Sequence, residues 1–567
     1  MDEEKVITTI DKVLPTFNRG QRTAYDTIMS GVNTFVTGGA GTGKSFFIKQ
    51  LMRCMTYYQK NVILCAPTGM AASNIEGVTI HRAFGFNTSA CINISKKGKM
   101  NIIAHSPETL KRADVVIIDE VSMCRMDVFD AICASIRKAE KEVLRETGRK
   151  HKIQLVVVGD MYQLGPILSD KTDKNNGSKQ SEKRLLETYY GKSITTPYAF
   201  LSNEWNNCNF QTVVLSEIVR QKDEEFIENL NKARIGDTSC ILYFNTQSSR
   251  YFIDKAPHLY SYNVDVDEEN ACKMDNIPFE LHRLPVLHDQ TLDEADLSGL
   301  PTDVELKVGA RVIICCNDDF KGTHAERDPL DLLSQKDGKP GTRFHNGSLG
   351  TVEDIKEATD EPVRLGEIDN EYVLVKLDSG ERIYFYRRSF NIYGYEIIDG
   401  VFTKQVIGQF SWIPVRPAYA LTIHRAQGQT FDAVNINPNC RNPGQLYVAL
   451  SRATSIQGIH LDRKIATFNL KADPLVTEFY DNLTDIVKWK KKPGPKAKKK
   501  EPKPLVGATR KGGPARKYPT GTTLMKVPNE LATLLKECID AFYPGPHQQN
   551  DYSINELVSK MEQLLKK

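Results

Sequence analysis

The feature that most constrains this sequence is a short glycine-rich segment near its start. Residues 38–45 read G-G-A-G-T-G-K-S and fit the pattern G-x-x-x-x-G-K-[ST] of a phosphate-binding loop. Gly38 and Gly43 allow the backbone to curl so that its N–H groups face a phosphate. The strand-like stretch T-F-V-T precedes the loop, and an apolar helix beginning F-F-I-K-Q-L-M follows it. This order predicts an α/β fold with a nucleotide at the positive end of the helix.

The loop also supplies the groups that would bind a triphosphate. We expect the Lys44 ammonium to reach the β- and γ-phosphates and the Ser45 hydroxyl to hold Mg²⁺. ATP and Mg²⁺ are therefore the predicted cofactors. The loop residues predicted to bind the nucleotide are Gly38, Gly39, Ala40, Gly41, Thr42, Gly43, Lys44 and Ser45.

Two apolar runs end in polar residues that suit ATP hydrolysis. Val115–Ile118 reads as a buried parallel strand and is followed by Asp119 and Glu120. Because ligands of open α/β sheets bind at the carboxyl ends of the strands, these carboxylates are expected beside the phosphate loop. Asp119 would hold Mg²⁺, and Glu120 would orient and deprotonate the attacking water; the alternative is a solvated acidic pair. A second run, residues 155–158, brings Gln163 to the same edge as a neutral γ-phosphate sensor.

Further motifs occur in a fixed order along the chain. They are F-N-R-G-Q at 17–21, A-P-T-G-M-A-A at 66–72, T-I-H-R-A-F-G at 79–85, D-E-V-S-M at 119–123, G-D-M-Y-Q-L-G-P at 159–166, V-R-Q at 219–221, T-I-H-R-A-Q-G-Q-T at 422–430 and Q-L-Y-V-A-L-S-R-A at 445–453. The series resembles the superfamily 1B DNA helicases of the RecD-like and Pif-type group, from about residue 10 to about residue 470.

The resemblance implies an ATP-dependent helicase that translocates 5′→3′ on single-stranded DNA and unwinds duplex DNA. The polarity follows from the segment at 422–430, because the opposite-polarity group tends to carry a K-G-L-E-type ending there. By the same resemblance, Gln21 reads the adenine edge and Gly428 faces the nucleotide. Arg220 and Arg452 are the corresponding γ-phosphate arginines of the second motor domain.

The resemblance also implies DNA contacts on both motor domains. Phe84 is the predicted base-stacking aromatic, the alternative being a core phenylalanine after a helix. For His81 and His424, ordinary structural hydrogen bonding is the alternative. The predicted contacts are Pro67, Thr68, His81 and Phe84 on the first domain and Asn263, Thr422, His424 and Arg425 on the second.

Composition agrees with a large intracellular enzyme. A chain of 567 residues that is 40% hydrophobic can bury several cores. Its twelve cysteines are scattered without a C-x-x-C pair, which argues against a zinc site, an iron–sulfur cluster or a secreted disulfide framework. Neither a signal peptide nor a membrane-spanning run is present in the sequence, so a soluble protein is expected.

Alternating apolar runs and helical stretches predict two RecA-like parallel-sheet motor domains. The first is expected over residues 1–205, with a small wedge near 86–110, and the second over 206–312 and 408–486. Between the two parts of the second domain, residues 313–407 hold short β-rich runs separated by turn signals, which suggests a small β-barrel. By resemblance it is the SH3-like insertion that closes over single-stranded DNA.

The C-terminal region has a different character. Residues 488–518 contain thirteen Lys or Arg and one acidic residue, Glu501, so this stretch carries +12 while the whole chain carries +4. We expect residues 487–518 to form a disordered basic tether that adds salt-sensitive DNA affinity. Residues 519–567 predict a small α-rich strand–helix–helix module. Dimerisation, docking on the motor and DNA binding all remain open for it, as do contacts with replication or recombination proteins.

Two classes of function remain in competition. The first is an ATP-driven 5′→3′ helicase acting on single-stranded DNA and its junctions with duplex, in replication, recombination or repair. The second is a DNA-stimulated ATPase that remodels protein–DNA complexes without processive unwinding. A helicase–nuclease is disfavoured, because no histidine or carboxylate cluster outside the motor resembles a metal-dependent nuclease centre.

Overall fold

A computed structural model describes residues 16–87, 90–95, 98–168, 181–288, 303–316, 343–344, 346–357, 371–483 and 486–487. The basic tether was predicted at 487–518, and all of it after Val487, together with the module predicted at 519–567, lies outside these residues. Within the described chain, no helix combines the length and apolar character that crossing a membrane requires.

The N-terminal part of the chain forms a six-stranded parallel sheet with the order β3-β2-β6-β7-β1-β8. A separate antiparallel hairpin, β4–β5, lies where the wedge was predicted. The strands are β1 (Thr34–Gly38), β2 (Val62–Ala66), β3 (Val78–Thr79), β4 (Ile92–Ile94), β5 (Met100–Ile102), β6 (Val115–Ile118), β7 (Gln154–Gly159) and β8 (Gln211–Leu215).

Helices cover both faces of this sheet, as the apolar character of its central strands requires. Every residue of β1, β2, β6 and β7 is buried, which is expected for parallel strands packed on both sides. Apolar clusters lie above and below the strands. The helices are α1 (Arg19–Met29), α2 (Lys44–Tyr57), α3 (Gly69–Asn74), α4 (Ile80–Phe84), α5 (Glu108–Lys111), α6 (Met126–Thr147) and α7 (Glu182–Tyr190).

A second, four-stranded parallel sheet has the order β20-β9-β21-β22. Two parallel sheets in an α/β chain confirm the predicted fold class at this level. The strands are β9 (His258–Tyr260), β20 (Ala420–Thr422), β21 (Val434–Ile436) and β22 (Ile459–Leu461). The helices of this part are α8 (Glu224–Arg234), α9 (Ile241–Gln247), α10 (Asn263–Asp275), α11 (Ile423–Ala426) and α12 (Gln445–Leu450), and α13 (Pro474–Asp481) follows.

The predicted boundaries between the two domains are wrong at both ends of the second domain. The strand Gln211–Leu215 was assigned to the second domain, but it pairs in parallel with Thr34–Gly38 and completes the first sheet. At the other end, α13 returns to the first domain, where Val476 is buried in its core and the Tyr480 hydroxyl shares a 2.7 Å hydrogen bond with Thr37. Both segments read as ordinary apolar elements, and their spacing does not reveal which sheet they join.

The region inserted into the second domain is antiparallel. Five strands pair in the order β16-β15-β14-β13-β19 around their own apolar core, and the last lies beyond the predicted end of the insertion at residue 407. Two further small sheets are β10-β12 and β11-β18-β17. The bounds are β10 (His282–Leu284), β11 (Leu287–His288), β12 (Val304–Leu306), β13 (Arg311–Ile314), β14 (Leu349–Lys356), β15 (Tyr372–Leu377), β16 (Arg382–Tyr386), β17 (Arg388–Ile398), β18 (Val401–Trp412) and β19 (Val415–Pro417).

The long hairpin β17–β18 extends from the insertion to the first domain. The backbone N–H of Leu64 donates to the Tyr395 hydroxyl at 3.0 Å, and Arg112 donates to the carbonyl of Gly400 at the hairpin turn. Tyr393, Tyr395 and Phe402 pack on the first domain's core. The insertion therefore contacts the first domain directly, although its sequence lies within the second.

Candidate nucleotide and DNA sites

The phosphate loop joins β1 to α2 and depends on glycines at two positions. Gly41 and Gly43 have φ angles of +79° and +80°, which side chains with a Cβ rarely adopt. A Cβ on Gly43 would lie 2.8 Å from Gln21 Nε2, and one on Gly41 would lie 2.8 Å from the side chain of Arg220. The loop is therefore closely packed from both domains.

Lys44 lies folded against its own loop. Its Nζ donates to the carbonyls of Gly38 at 2.8 Å and Gly39 at 3.0 Å, and the residue is only 9% exposed. Burial lowers the pKa of Lys44, although the charges of Asp160, Glu120 and Asp119 oppose that shift. A phosphate would give this buried ammonium an anionic partner in place of two neutral carbonyls.

The carboxylates after β6 form a concentrated negative site. Burial and then the neighbouring Glu120 charge raise the pKa of Asp119 to about 7, even though the Glu120 N–H donates to its Oδ1 at 2.8 Å. Glu120 itself has a left-handed backbone with φ of +49°. A buried carboxylate with a raised pKa is stabilised by a cation, and Ser45 offers an exposed hydroxyl oxygen from the loop. These oxygen donors fit Mg²⁺.

A chamber of about 440 Å³ lies where the two parallel domains meet. The first domain lines this chamber with residues 40–46, Glu120 and Gln163. The opposite wall of the chamber is formed by Arg220, Gly428 and Arg452. All five predicted catalytic residues, namely Lys44, Glu120, Gln163, Arg220 and Arg452, therefore share one cavity.

Arg452 and Arg220 enter this chamber without an acidic partner. Arg452 is 2% exposed, and its guanidinium donates only to three backbone carbonyls and to the Ser451 hydroxyl, between 2.7 and 3.3 Å. Burial and the nearby Arg220 charge lower the pKa of Arg452 to about 9. Arg220 donates to the carbonyl of Ser451 at 3.1 Å. Arg452 is buried and Arg220 half-buried, and neither has a described carboxylate partner, so the two guanidiniums form a site ready for an anion.

A third arginine crosses the same interface but is already paired. Arg234, at the end of α8, donates to both oxygens of Asp160 at 2.7 to 3.1 Å, and Asp160 is fully buried. The Arg234 guanidinium also lies 4.7 Å from the ring centre of Tyr162 and 5.3 Å from that of Tyr480. Sequence reasoning missed Arg234, because an arginine at a helix end carries no signal of a partner in another domain.

Two more contacts reach from the second domain to the catalytic groups, and both were also missed. The Ala40 N–H of the phosphate loop donates to the Tyr447 hydroxyl at 2.7 Å. The Gln427 amide donates to Glu120 Oε2 and to Gln163 Oε1, both at 3.3 Å. Tyr447 and Gln427 both lie within motifs that the sequence highlights, but spacing alone does not assign them these partners.

Some predicted nucleotide residues do not line the chamber. Gln21 is 3% exposed; its amide oxygen accepts from the Asn18 N–H at 3.2 Å and its amide nitrogen donates to Gly43 O at 3.4 Å. It therefore caps α1 and supports the loop rather than presenting a free amide to a base. Gly38 is the last residue of β1, and Gly39 packs beneath Tyr447 and Arg234.

The predicted DNA contacts include one that is wrong. Phe84 is fully buried in the first domain's core and stacks on Phe86 at 5.5 Å, so it cannot stack on a base. Ile80, Ala83 and Phe84 are all buried on α4, and their i, i+3, i+4 spacing is the signal that identifies a core face.

Two threonines predicted to contact DNA also act as caps, and of the two only Thr68 is partly exposed. The Thr422 side chain is 4% exposed and accepts from the Arg425 N–H at 3.3 Å, which makes it the N-cap of α11 rather than a surface contact. Thr68 accepts from the Ala71 N–H at 3.2 Å.

The remaining predicted contacts lie at the carboxyl ends of parallel strands. Pro67 follows β2 and His81 follows β3, while Asn263 begins α10 after β9, and His424 and Arg425 follow β20. Asn263 and Arg425 are exposed. Burial lowers the pKa values of His81 and His424, so both imidazoles are neutral near pH 7.

Two parallel α/β domains that meet over a phosphate loop, with carboxylates on one side and unpaired arginines on the other, define a two-domain P-loop nucleotide-binding protein. The PIF1-like helicase family matches residues 16–240, and the UvrD-like helicase C-terminal domain matches residues 417–455. Residues 16–240 therefore carry the similarity to PIF1-like helicases, and Pif1 helicases are similar to this chain over most of its length.

Relatives cover most of the chain. The ATP-dependent DNA helicase PIF1 of Emericella nidulans is 29% identical over 541 residues, covering 85% of this chain and 66% of the relative. Pif1 of Campylobacter jejuni is 27% identical over 496 residues, covering 82% of this chain and 96% of the relative. The chain thus spans nearly all of the bacterial relative and just under two thirds of the fungal one.

Solved structures of Pif1 helicases show the same similarity. Pif1 from Bacteroides in complex with ADP-AlF4 superimposes with a TM-score of 0.63 at 27% identity, covering 82% of this chain and 96% of that one. The same protein bound to single-stranded DNA gives a TM-score of 0.51. Pif1 from Candida albicans gives 0.56 at 26% identity, covering 82% of this chain and 99% of that one.

Proposed function

We propose that this protein is an ATP-dependent DNA helicase that translocates 5′→3′ on single-stranded DNA and unwinds duplex DNA. The observation that carries the proposal is the chamber between the two parallel domains, because Arg220 and Arg452 line it without an anionic partner among the described residues. The curated relatives are named ATP-dependent DNA helicases, which supports the same activity. The 5′→3′ direction rests on the resemblance of residues 422–430 to the superfamily 1B motif.

ATP binding would begin with a change of partners at Lys44. The ammonium leaves the carbonyls of Gly38 and Gly39 and binds the β- and γ-phosphates, which supply full negative charge. From the other side, Arg220 and Arg452 contact the γ-phosphate. Since these arginines lie on the wall of the chamber opposite Lys44, the triphosphate draws the two domains together.

Hydrolysis would depend on Glu120 as the base. Its Oε2 accepts from the Gln427 amide, and the same amide reaches Gln163, so these three side chains already converge on one point in the chamber. A water held there would donate its proton to Glu120 while its oxygen attacks the γ-phosphorus, and the bond from that phosphorus to the β–γ bridging oxygen would break, so that ADP leaves. Release of phosphate would leave the arginines unpaired again and allow the domains to separate.

Mg²⁺ would be held by the Ser45 hydroxyl and, through water, by Asp119. The raised pKa of the buried Asp119 carboxylate supports a cation at this position. When bound, the metal neutralises charge on the β- and γ-phosphates. The chain's contribution is to fix both oxygen donors on rigid elements, the start of α2 and the end of β6.

The finer architecture belongs to the same proposal. The two parallel domains would be RecA-like motor domains, and the five-stranded antiparallel insertion would be an SH3-like module that closes over the DNA strand. The β4–β5 hairpin would be the wedge that separates the strands. Asn263, His424 and Arg425 would contact DNA on the second domain, and Pro67 and His81 on the first.

Strand displacement tests the proposal directly. The purified chain is mixed with ATP, Mg²⁺ and matched duplexes that carry either a 5′ or a 3′ single-stranded tail. Unwinding of the 5′-tailed duplex alone is the expected result. DNA-stimulated hydrolysis without displacement of either duplex would instead favour a remodelling ATPase, and displacement of the 3′-tailed duplex alone would reverse the polarity.

A further inference from the structure

Two cysteine thiols of the first domain are in contact although they are far apart in the sequence. Cys133 lies on α6, and Cys208 lies 75 residues later, at the end of a single 3-10 turn just before β8. Their sulfur atoms are 3.6 Å apart. Since the sulfurs of a disulfide are about 2 Å apart, rotation of the two side chains and a small shift of the loop would bring them to bonding distance.

Polar bonds hold this contact in register. Asp130, Cys133 and Arg137 have the i, i+3, i+7 spacing of one face of α6. The Asp130 carboxylate accepts from the backbone N–H groups of Asn203 at 3.3 Å and Glu204 at 3.0 Å. One helical turn beyond the thiols, Arg137 donates to both carboxylate oxygens of Glu204, at 2.5 and 2.7 Å. The loop before β8 is therefore fixed to α6 on both sides of the thiol pair.

Aromatic packing limits the movement of the same loop and leaves one thiol accessible. The Trp205 ring packs on Phe129 at 5.1 Å and on Phe210 at 4.9 Å between ring centres. Cys133 is only 5% exposed, whereas Cys208 is half-buried. A small oxidant in solution therefore reaches Cys208 and not Cys133.

The buried thiol of the pair keeps its proton. The hydrogen bond with Cys208, and then burial, raise the pKa of Cys133 well above that of an ordinary thiol. Because the thiolate is the form that reacts with peroxides, Cys133 does not react first. Oxidation would start at Cys208, and Cys133 lies within reach of the oxidised sulfur.

We propose that Cys133 and Cys208 form a reversible redox modification site, in which hydrogen peroxide converts the two thiols into a disulfide that joins α6 to the loop before β8. This property goes beyond the proposed helicase function and does not depend on it. The spacing of the cysteines along the sequence does not reveal the pair, because the fold brings the two segments together.

The reaction takes place in two steps. The Cys208 thiolate attacks one oxygen of the peroxide, so that an S–O bond forms, the O–O bond breaks, and the departing hydroxide takes up the proton lost by Cys208 as water. The Cys133 sulfur then attacks the sulfenic sulfur of Cys208. The S–S bond forms, the S–O bond breaks, and the second hydroxide leaves as water with the Cys133 proton. Two electrons pass from the sulfurs to the peroxide.

The disulfide would lie at the opposite edge of the sheet from the ATP chamber. Cys208 precedes β8, and its carbonyl accepts from the side chain of Asn33, which directly precedes β1. Both positions are at the amino ends of parallel strands, whereas the phosphate loop follows the carboxyl end of β1. A cross-link between segments 75 residues apart also restricts the unfolded chain. Oxidation should therefore stabilise the first domain and leave ATP hydrolysis intact.

Peptide mapping tests for the bond in the full-length protein. Hydrogen peroxide is added in steps until the exposed Cys272 is oxidised, remaining thiols are blocked, and the protein is digested without reductant. Mass spectrometry should find the peptides of Cys133 and Cys208 joined with the loss of two hydrogens, and dithiothreitol should separate them. Oxidation of Cys272 without this linked pair would overturn the proposal.

A matched pair of variants tests the effect on stability. Cys208→Ser removes the accessible thiol of the pair, and Cys272→Ser removes an exposed thiol on α10 as the control. Peroxide should raise the Tm of the wild type and of Cys272→Ser on the order of 5–10 °C, and dithiothreitol should reverse the change. Cys208→Ser should show no such rise. The same response in all three proteins would overturn the proposal.

ATP hydrolysis gives the final readout. The peroxide-treated wild type should hydrolyse ATP at the rate of the untreated protein, because the bond lies away from the chamber. A loss of hydrolysis that Cys208→Ser prevents and dithiothreitol reverses would contradict this placement of the disulfide.

Discussion

The ATP chamber and the residues of the first domain predicted to contact DNA occupy the same edge of the first sheet, yet their side chains are arranged in different ways. In the chamber, the predicted groups of two domains converge, and the buried Lys44 and Arg452 and the half-buried Arg220 have no carboxylate partner among the described residues. On the DNA-facing side, several predicted groups already have structural roles, as Phe84 has in the core. Cationic side chains without a carboxylate partner thus mark the ligand site better than motif membership does.

The first test of this comparison removes two charged side chains of the chamber, those of Lys44 and Glu120. Lys44→Ala should abolish DNA-stimulated ATP hydrolysis, because the phosphates lose their buried ammonium. Glu120→Gln should keep ATP binding while turnover falls by about 10²- to 10⁴-fold, as expected when a general base is lost. Steady-state hydrolysis and binding of a fluorescent ATP analogue measure the two effects separately. Near-normal turnover in either folded variant would refute the assigned role.

The second test compares an unpaired arginine with a paired one. Arg452→Ala should eliminate unwinding while single-stranded DNA binding and thermal stability remain, since it removes a buried charge that has no counter-ion. Arg234→Ala, in contrast, should lower the free energy of unfolding by about 3–5 kcal/mol, because it leaves Asp160 buried and unpaired. Denaturant unfolding and strand displacement give the two readouts. Equal stability losses in the two variants would contradict the distinction.

Phe84 provides the third test, on the DNA-facing side. Phe84→Ala should lower the free energy of unfolding by about 3–5 kcal/mol through loss of core packing. Phe84→Leu should cost less, and its affinity for single-stranded DNA should equal that of the wild type, because the ring does not reach the surface. Should Phe84→Leu stay stable but bind DNA poorly, the ring would have to contact DNA after all.

The smallest expected effect concerns the cluster of His258, Asp462 and Glu269, which belongs neither to the ATP chamber nor to the predicted DNA contacts. Burial disfavours the charge on His258, but hydrogen bonds to Asp462 and Glu269, both 2.9 Å, outweigh it and raise its pKa to about 9. Because the pKa of His258 is higher in the folded protein than in the unfolded chain, protonation of its imidazole stabilises the fold. This stabilisation is complete below the ordinary histidine pKa of about 6.5. That contribution declines between about pH 6.5 and 9.

Thermal melts across this range of pH test the cluster. His258→Gln should lower Tm most below pH 6.5 and progressively less toward pH 9 and above. A difference in Tm between variant and wild type that is constant across pH would show that the imidazole contributes packing and not charge.

The sequence predicts the chamber well because its motifs constrain the backbone. A loop that needs left-handed glycines at positions 41 and 43 can fold in few ways, and the residues beside it are placed with it. The DNA-facing side depends instead on which side chains are buried, and that is decided by packing between distant segments. Arg234 and Asp160 show the limit, because their pairing exists only once the two domains have met.

The close approach of Arg220 and Arg452 has a practical consequence for handling the protein. These two neighbouring cations repel each other, so a simple polyvalent anion has a ready-made place to bind between them. Anything that binds only the folded state raises its stability by mass action. Storage in sulfate or phosphate buffer should therefore preserve the purified enzyme better than storage in chloride, and those same anions would compete with ATP in an assay.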